Sequence, residues 1–263
     1  MQTETLTAST RKLITSLKSA RHRREERLFV IEGTRAVTDT AGFFDVAFLV
    51  ATAAWLDEHA SALPPAIGRV AVAKNDDIAR MSSLNTPQGV IAVCRMPEAP
   101  EMPELLAPDE LVLALDKVQD PGNLGTIIRV ADWMGVRRIL ASADTVDVYN
   151  PKVVQATMGA IARVEVIYTD LPAALARLGQ ETPVYGTFLD GANIYDSPLS
   201  RGGIVVMGNE GNGISDEVGA LVSRRLLIPP YPADSATVES LNVSVATAIT
   251  LAEFRRRAAN QCK

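Results

Sequence analysis

The chain has 263 residues, with 26 Lys and Arg against 31 Asp and Glu and a hydrophobic share of 47%, a composition that builds a sizeable core and excludes a disordered polyelectrolyte. No apolar run reaches the roughly 18 residues that a membrane span needs, and the opening MQTETLTASTRK lacks an apolar signal core, so a cytoplasmic protein with no membrane partner is expected. Two cysteines without Cys-x-x-Cys spacing, Cys94 and Cys262, and two histidines, His22 and His59, leave little material for a disulfide framework, a metal site or a histidine relay.

The first 35 residues carry eight Lys and Arg (Arg11, Lys12, Lys18, Arg21, Arg23, Arg24, Arg27, Arg35) against four Glu. Such a basic segment on an acidic body is either an electrostatic grip for phosphates or a solvated helix face. Apolar, β-branched stretches follow at 28–33, 46–51, 69–73 and 89–96, separated by helical patterns at about 9–22, 34–41, 53–62 and 76–82. Strands spaced by helices of this length predict a small α/β domain over residues 1–96. The stretch MPEAPEMPELLAPDE repeats proline without helical or strand period and predicts a linker at 97–108.

The alternation restarts over residues 109–263. Strands are predicted at 111–116, 137–142, 164–168, 184–189, 203–208 and 225–230, with helices at about 124–134, 151–161, 172–179 and 215–222. A last helix, about 240–258, carries Leu241, Val245, Ala248, Ile249 and Ala252 at helical spacing, an apolar face for either a homodimer interface or core packing.

Three strand-to-turn junctions are rich in glycine, amides and small residues: DKVQDPGNLGTIIR, MGNEGNGIS and IPPYPADSATVESLNVS. Open α/β sheets bind ligands at such carboxyl ends. The glycines at 208, 211 and 213 are spaced GxxGxG rather than GxGxxG, and no Gly-Lys-Ser/Thr triplet exists, so neither a dinucleotide fingerprint nor a Walker loop is present. Each junction taken singly also has a plain reading as a helix cap or tight turn.

Together and in this order, LDKVQDPGNLGTIIRVADWMGV, IVVMGNEGNGIS and LLIPPYPADSATVESLNVSVATAITLAEFRR resemble the three signature motifs of the SpoU (TrmH) family of RNA ribose 2′-O-methyltransferases, within the SPOUT superfamily. NPKVVQATMGA is similar to the segment between the first two motifs, while REERLFVIEGTRAV and MSSLNTPQGVIAVCR are similar to the family's ribosomal-protein-like RNA-binding domain. The resemblance implies a carboxy-terminal SPOUT α/β fold with a deep trefoil knot, preceded by the small RNA-binding domain. It further implies S-adenosylmethionine as cofactor, ribosomal RNA in preference to transfer RNA as substrate, and a homodimer through the carboxy-terminal domain.

On the same resemblance, the cofactor site comprises Thr187, Phe188, Leu189, Met207, Gly208, Asn209, Gly211, Gly213, Ile228, Pro230, Leu241 and Val243. Arg129 matches the family's catalytic arginine, and Asn123, Glu210, Ser240 and Asn242 match its remaining polar positions, expected to orient Arg129, the ribose or the cofactor. A guanidinium suits a developing alkoxide or a phosphate better than it suits the role of free base. No metal is called for, because methyl transfer to a hydroxyl needs positioning and charge stabilisation rather than a Lewis acid. Two departures stand out: a longer loop at 231–239, and Thr157-Met158 before Gly159 in place of the commoner Ser-Ala. The alternatives are a transfer-RNA methyltransferase or a non-catalytic RNA-binding module of the same fold.

Overall fold

The computed structural model describes residues 2–232 and 240–260. Most of the loop at 231–239 and Cys262 therefore lie outside the described residues. The chain forms two compact units, Met1–Glu98 with Asp147–Ala162, and Ala99–Val146 with Arg163–Lys263. Among the described residues no helix is long and apolar enough to cross a membrane.

The first unit runs β1 (Gln2–Thr5), α1 (Ala8–Ser16), α2 (Ala20–Glu26), β2 (Leu28–Glu32), α3 (Thr34–Thr40), β3 (Val46–Ala51), α4 (Ala53–His59), β4 (Arg69–Val72), α5 (Asn75–Met81) and β5 (Val90–Arg95). Its sheet has the order β1-β4-β3-β5-β2 and is mixed: β1, β4 and β3 are mutually parallel, and β5 runs antiparallel to both β3 and β2. Strands β2, β3 and β5 are buried almost throughout, which is why they read as continuous apolar runs. Strand β1, sequence QTET, has no apolar strand signature; it joins the edge through backbone pairing with β4 alone.

The single helix expected at 9–22 is two helices. The chain breaks after α1, and the Arg23 guanidinium takes up the carbonyls released there, with Nη1 donating to Leu17 O at 2.9 Å and Lys18 O at 3.0 Å. Helix ends leave carbonyls without helical partners, and a buried end must satisfy them. The same guanidinium pairs with Asp147, Nη2 to Oδ2 at 2.5 Å, and is only 1% exposed. Arg23 is thus part of the core and not of a solvated basic face.

The second unit begins with β6 (Leu111–Leu115), α6 (Pro121–Trp133) and β7 (Arg138–Ser142). Helix α7 (Pro151–Thr157) then packs on β2 of the first unit, so Asp147–Ala162, expected within the second domain, belongs to the first by packing. The chain resumes the second unit with β8 (Glu165–Thr169), α8 (Leu171–Leu178), β9 (Val184–Asn193), β10 (Gly203–Met207), α9 (Asp216–Gly219), β11 (Arg224–Leu227) and α10 (Val243–Asn260). The sheet is parallel throughout, in the order β11-β9-β10-β6-β7-β8. The proline-rich segment has no regular element, and Met102 and Leu106 rest on this unit's core.

Of the two uses open to the apolar stripe of α10, core packing is not the one its Leu241, Val245 and Ala252 serve. Val243, Thr247, Leu251 and Phe254 are buried, and Phe254 meets Tyr185 edge-on with ring centroids 4.9 Å apart. Leu241 and Val245 are each 47% exposed, and Ala252 is exposed as well. The pattern misleads because a threonine that returns its proton to the preceding turn can sit in a core; Thr247 Oγ1 donates to Val243 O at 2.7 Å.

Candidate active site

Three consecutive strand ends build one cavity of about 460 Å³ in the second unit, within the range of small-molecule sites. The first wall comes from an irregularity in β9. Gly186 pairs with Arg225 and Ala192 with Leu226, so residues 187–191 fall outside the ladder and present Thr187, Phe188 and Leu189 to the cavity. Arg225 stacks over the Phe188 ring at 3.5 Å and pairs with Asp190 at 2.6 Å, holding this wall from behind.

The second wall is the turn after β10. Asn209 and Gly213 exchange two backbone hydrogen bonds, 2.8 and 3.0 Å, and a Cβ on Gly208 would lie 2.2 Å from the carbonyl carbon of Gly213, so only glycine allows the turn to close. Asn209 is spent on this scaffold. Its Oδ1 accepts from the N–H groups of Gly211 and Asn212 at 2.9 and 3.1 Å, and its Nδ2 donates to Lys117 O at 2.7 Å. The third wall follows β11 and leads into α10, with Leu227, Ile228, Ser240, Leu241 and Val243.

A polar set stands at the rim. Glu210 lines the cavity, and its Oε1 accepts from Asn123 Nδ2 at 2.9 Å. Asn123 Oδ1 in turn accepts from Asn242 Nδ2 at 2.9 Å, and Asn242 Oδ1 caps the start of α10 by accepting from Ser244 N at 3.0 Å and Ser244 Oγ at 2.6 Å. Asn123 reaches this position because α6 starts sharply: Asp120 caps it, accepting from Asn123 N at 2.8 Å, with Pro121 in the first turn. Leu124, Ile127, Ile128 and Ala131 are its buried stripe, as expected.

Of the residues expected around the cofactor, all but Pro230 line the cavity, and so do Glu210 and Ser240. Asn123, Glu210 and Asn242 form one hydrogen-bonded chain; Ser240 is exposed and makes no side-chain hydrogen bond among the described residues. Arg129 stands apart. It is exposed, has no hydrogen bond or ion pair among the described residues, and lies six residues past Asn123, hence about 9 Å along the helix and about 120° around it. Sequence reasoning missed Asp116, which closes the all-apolar strand β6, is 2% exposed and accepts from Ser215 N at 2.7 Å. The available signal was a carboxylate ending a fully buried strand.

A parallel α/β unit with an apolar cavity across its strand ends and a carboxylate–carboxamide rim is a small-molecule-binding fold of the nucleotide type. The chain belongs to the SpoU rRNA methylase family, whose pattern matches residues 110–252, and an MRM3-like substrate binding domain matches residues 10–92. It is similar to the 23S rRNA (guanosine(2553)-2′-O)-methyltransferase RlmP of Bacillus subtilis, 37% identical over 182 residues that cover 68% of this chain and 70% of that one. A TrmH-family structure from Porphyromonas gingivalis superposes with a TM-score of 0.85 at 41% identity, covering 97% and 100% of the two chains. The AdoMet-bound rRNA methyltransferase of Sinorhizobium meliloti gives a TM-score of 0.83 at 29% identity over 97% and 98%.

S-adenosylmethionine fits the residues present. A cavity of about 460 Å³ walled by Phe188, Leu189, Ile228 and Leu241 and by turn backbone suits a flat adenine, and the Glu210 carboxylate on the rim suits a cationic sulfonium.

Proposed function

We infer that this protein transfers the methyl group of S-adenosylmethionine to a ribose 2′-hydroxyl of ribosomal RNA. The observation that carries this reading is the cavity across three strand ends with the Asn123–Glu210–Asn242 chain on its rim, in a member of the SpoU family. When bound, S-adenosylmethionine supplies an electrophilic methyl group on a sulfonium. The protein's part is to hold an acceptor oxygen in line with that methyl and to stabilise the negative charge that develops there.

We assign the stabilising role to Arg129. Its exposure and its lack of a partner among the described residues support the assignment, because a guanidinium committed to a protein carboxylate would be less available to an alkoxide or a phosphate. Asn123 and Asn242 fix the Glu210 carboxylate and with it the rim; Ser240 is the remaining rim hydroxyl, exposed to substrate. The cofactor-contacting set is the cavity lining, to which Pro230 contributes through the bend after Ile228.

Three further parts belong to this reading. The first unit, about residues 1–96 with 147–162 packed on it, selects the RNA, and residues from 109 on carry the reaction, a division supported by the separate MRM3-like and SpoU matches. The carboxy-terminal segment forms a deep trefoil knot, a reading supported by Leu226, Leu227 and Ile228 sharing one cavity with Ser240, Leu241, Val243 and Ala246 and with the two preceding strand ends. The active form is a homodimer on the exposed face of α10. Leu241 both lines the cavity and is 47% exposed, so a partner seated on Leu241 and Val245 lies beside the cofactor site.

The test is transfer of labelled methyl from S-adenosylmethionine to large-subunit ribosomal RNA, given naked and as assembling particles, with the modified position mapped as a ribose resistant to alkaline cleavage. One resistant ribose is expected. Absence of label in both substrates overturns the reading.

A further inference from the structure

Three non-glycine residues among those described have a left-handed backbone: Arg27, Lys117 and Met158, with φ of 55°, 59° and 49°. Two have an ordinary explanation. Arg27 and Met158 are helix C-caps whose N–H groups bond back to Arg23 O and Gln155 O, where a left-handed residue is the common way to end a helix. Lys117 ends no helix. It follows β6 in the loop that leads to Asn123, at a position where glycine or asparagine would sit with less strain.

The surroundings hold it there. Lys117 N donates to Ser142 Oγ at 2.8 Å, within a buried hydroxyl pair with Thr145, and Lys117 O accepts from Asn209 Nδ2 at 2.7 Å. That same Nδ2 lies 3.4 Å from Glu210 Oε2, so one carboxamide separates the Lys117 backbone from the rim carboxylate. The side chain is exposed, has no hydrogen bond or ion pair among the described residues, and does not line the cavity. Strained, over-determined residues gather at functional sites. This one also answers an electrostatic need: the RNA must approach a rim that carries the carboxylates of Glu210 and Asp120, and a cation beside them offsets the repulsion.

We propose that Lys117 binds a backbone phosphate of the RNA next to the ribose being methylated, a substrate contact outside the cofactor cavity. The proposal rests on the RNA methyltransferase reading above. A phosphate contact positions the strand without reading its bases, so Lys117 acts on affinity and register and not on the methyl donor.

The experiment compares wild type, Lys117→Asn and Lys117→Arg in the full chain, with a large-subunit rRNA transcript and S-adenosylmethionine as probes. Lys117→Asn removes the charge and suits the left-handed backbone. It is expected to raise the RNA KM about 5- to 10-fold with kcat nearly unchanged, and to lower the slope of log RNA affinity against log salt by about 0.7 to 1. Its Tm should equal or exceed that of wild type and its Kd for S-adenosylmethionine should not move, whereas Lys117→Arg should bind RNA like wild type. A wild-type salt slope and KM in Lys117→Asn overturns the proposal. A loss accompanied by weaker S-adenosylmethionine binding or a lower Tm also overturns it, because it assigns Lys117 to the scaffold. If wild type transfers no methyl, the activity reading fails on its own, while the salt-dependent binding comparison still decides the role of Lys117.

Discussion

Two arginines on two helices, Arg23 in α2 and Arg129 in α6, meet opposite fates. Arg23 belongs to the basic amino-terminal segment, yet it is 1% exposed and donates to Leu17 O, Lys18 O and Asp147. Arg129 belongs to the acidic part of the chain, yet it is exposed and has no partner among the described residues. Positive charge in the sequence is therefore a poor guide to where an anion binds. A guanidinium whose donors are already used holds the fold together; one whose donors are free can meet a substrate oxygen.

The largest expected effect is at Arg23. Arg23→Ala leaves the Asp147 carboxylate and two helix-end carbonyls without their donor, and breaking a buried pair of this kind costs about 3–5 kcal/mol. Denaturant unfolding should show the loss in the transition of the first unit, with S-adenosylmethionine affinity of the second unit kept. Arg23→Lys should recover little, since one ammonium on a flexible stem cannot serve Asp147 on one side and Leu17 O and Lys18 O on the other. A loss below about 1 kcal/mol would mean that water replaces the guanidinium and that the residue is not structural.

Arg129 should invert that result. Arg129→Ala removes an exposed side chain with no partner among the described residues, so Tm and S-adenosylmethionine affinity should stay at the wild-type values. Turnover should fall about 100-fold, the usual cost of losing one preorganised donor to a developing oxyanion. Single-turnover methylation with saturating RNA measures it. A rate within a few-fold of wild type removes Arg129 from the reaction and leaves Glu210 and Asn123 to be tested next.

The same contrast explains what could be read from the sequence. Strands such as LVLAL of β6 are buried on both faces, and continuous apolar runs announce them. QTET of β1 has no such signature, because backbone pairing to β4 holds it at an edge. The glycine-rich turn and Asn123 were legible since turn geometry and helix capping restrict residue type locally. Long-range facts were not: that Asp147–Ala162 packs on the first unit, that Arg23 closes the end of α1, and that a 59° φ at Lys117 places a lysine beside the rim. None of these leaves a period or a spacing. The face of α10 fell between the two, because its helical period was right and the threonines on its buried side disguised the direction.

That face sets the next prediction. Val245→Asp places a charge on the exposed stripe of α10, away from Val243, Thr247, Leu251 and Phe254, so each chain should fold with little change in Tm. Light scattering should report a shift from dimer to monomer, and methylation should fall about 10-fold or more if the partner completes the site, as expected where one charge is buried without a counter-charge. A Val245→Asp protein that stays dimeric places the interface elsewhere. A monomer with full activity shows that the site is complete in one chain.

The smallest effect is a pH dependence at Glu253, the acidic counterpart of Arg23. Its carboxylate is held by Arg256 and Arg257, with Arg256 Nη2 and Arg257 Nε each 2.7 Å from Oε1, and its side chain is 4% exposed. The hydrogen bond from Arg256, seconded by Arg257, lowers its pKa below the ordinary 4.5, against the opposing pull of burial. A carboxylate with a depressed folded-state pKa stabilises the fold fully above its unfolded value, and that contribution is lost as pH falls through the folded value. The Tm difference between wild type and Glu253→Gln should therefore be largest near pH 7 and steady down to about pH 5, then shrink as pH drops below about 4. Because Arg256 is largely exposed and can turn to solvent, the whole difference should be smaller than that for Arg23→Ala. If the difference is the same at pH 7 and pH 3.5, Glu253 contributes through packing of its stem and not through its charge, and the closed half of the contrast rests on Arg23 alone.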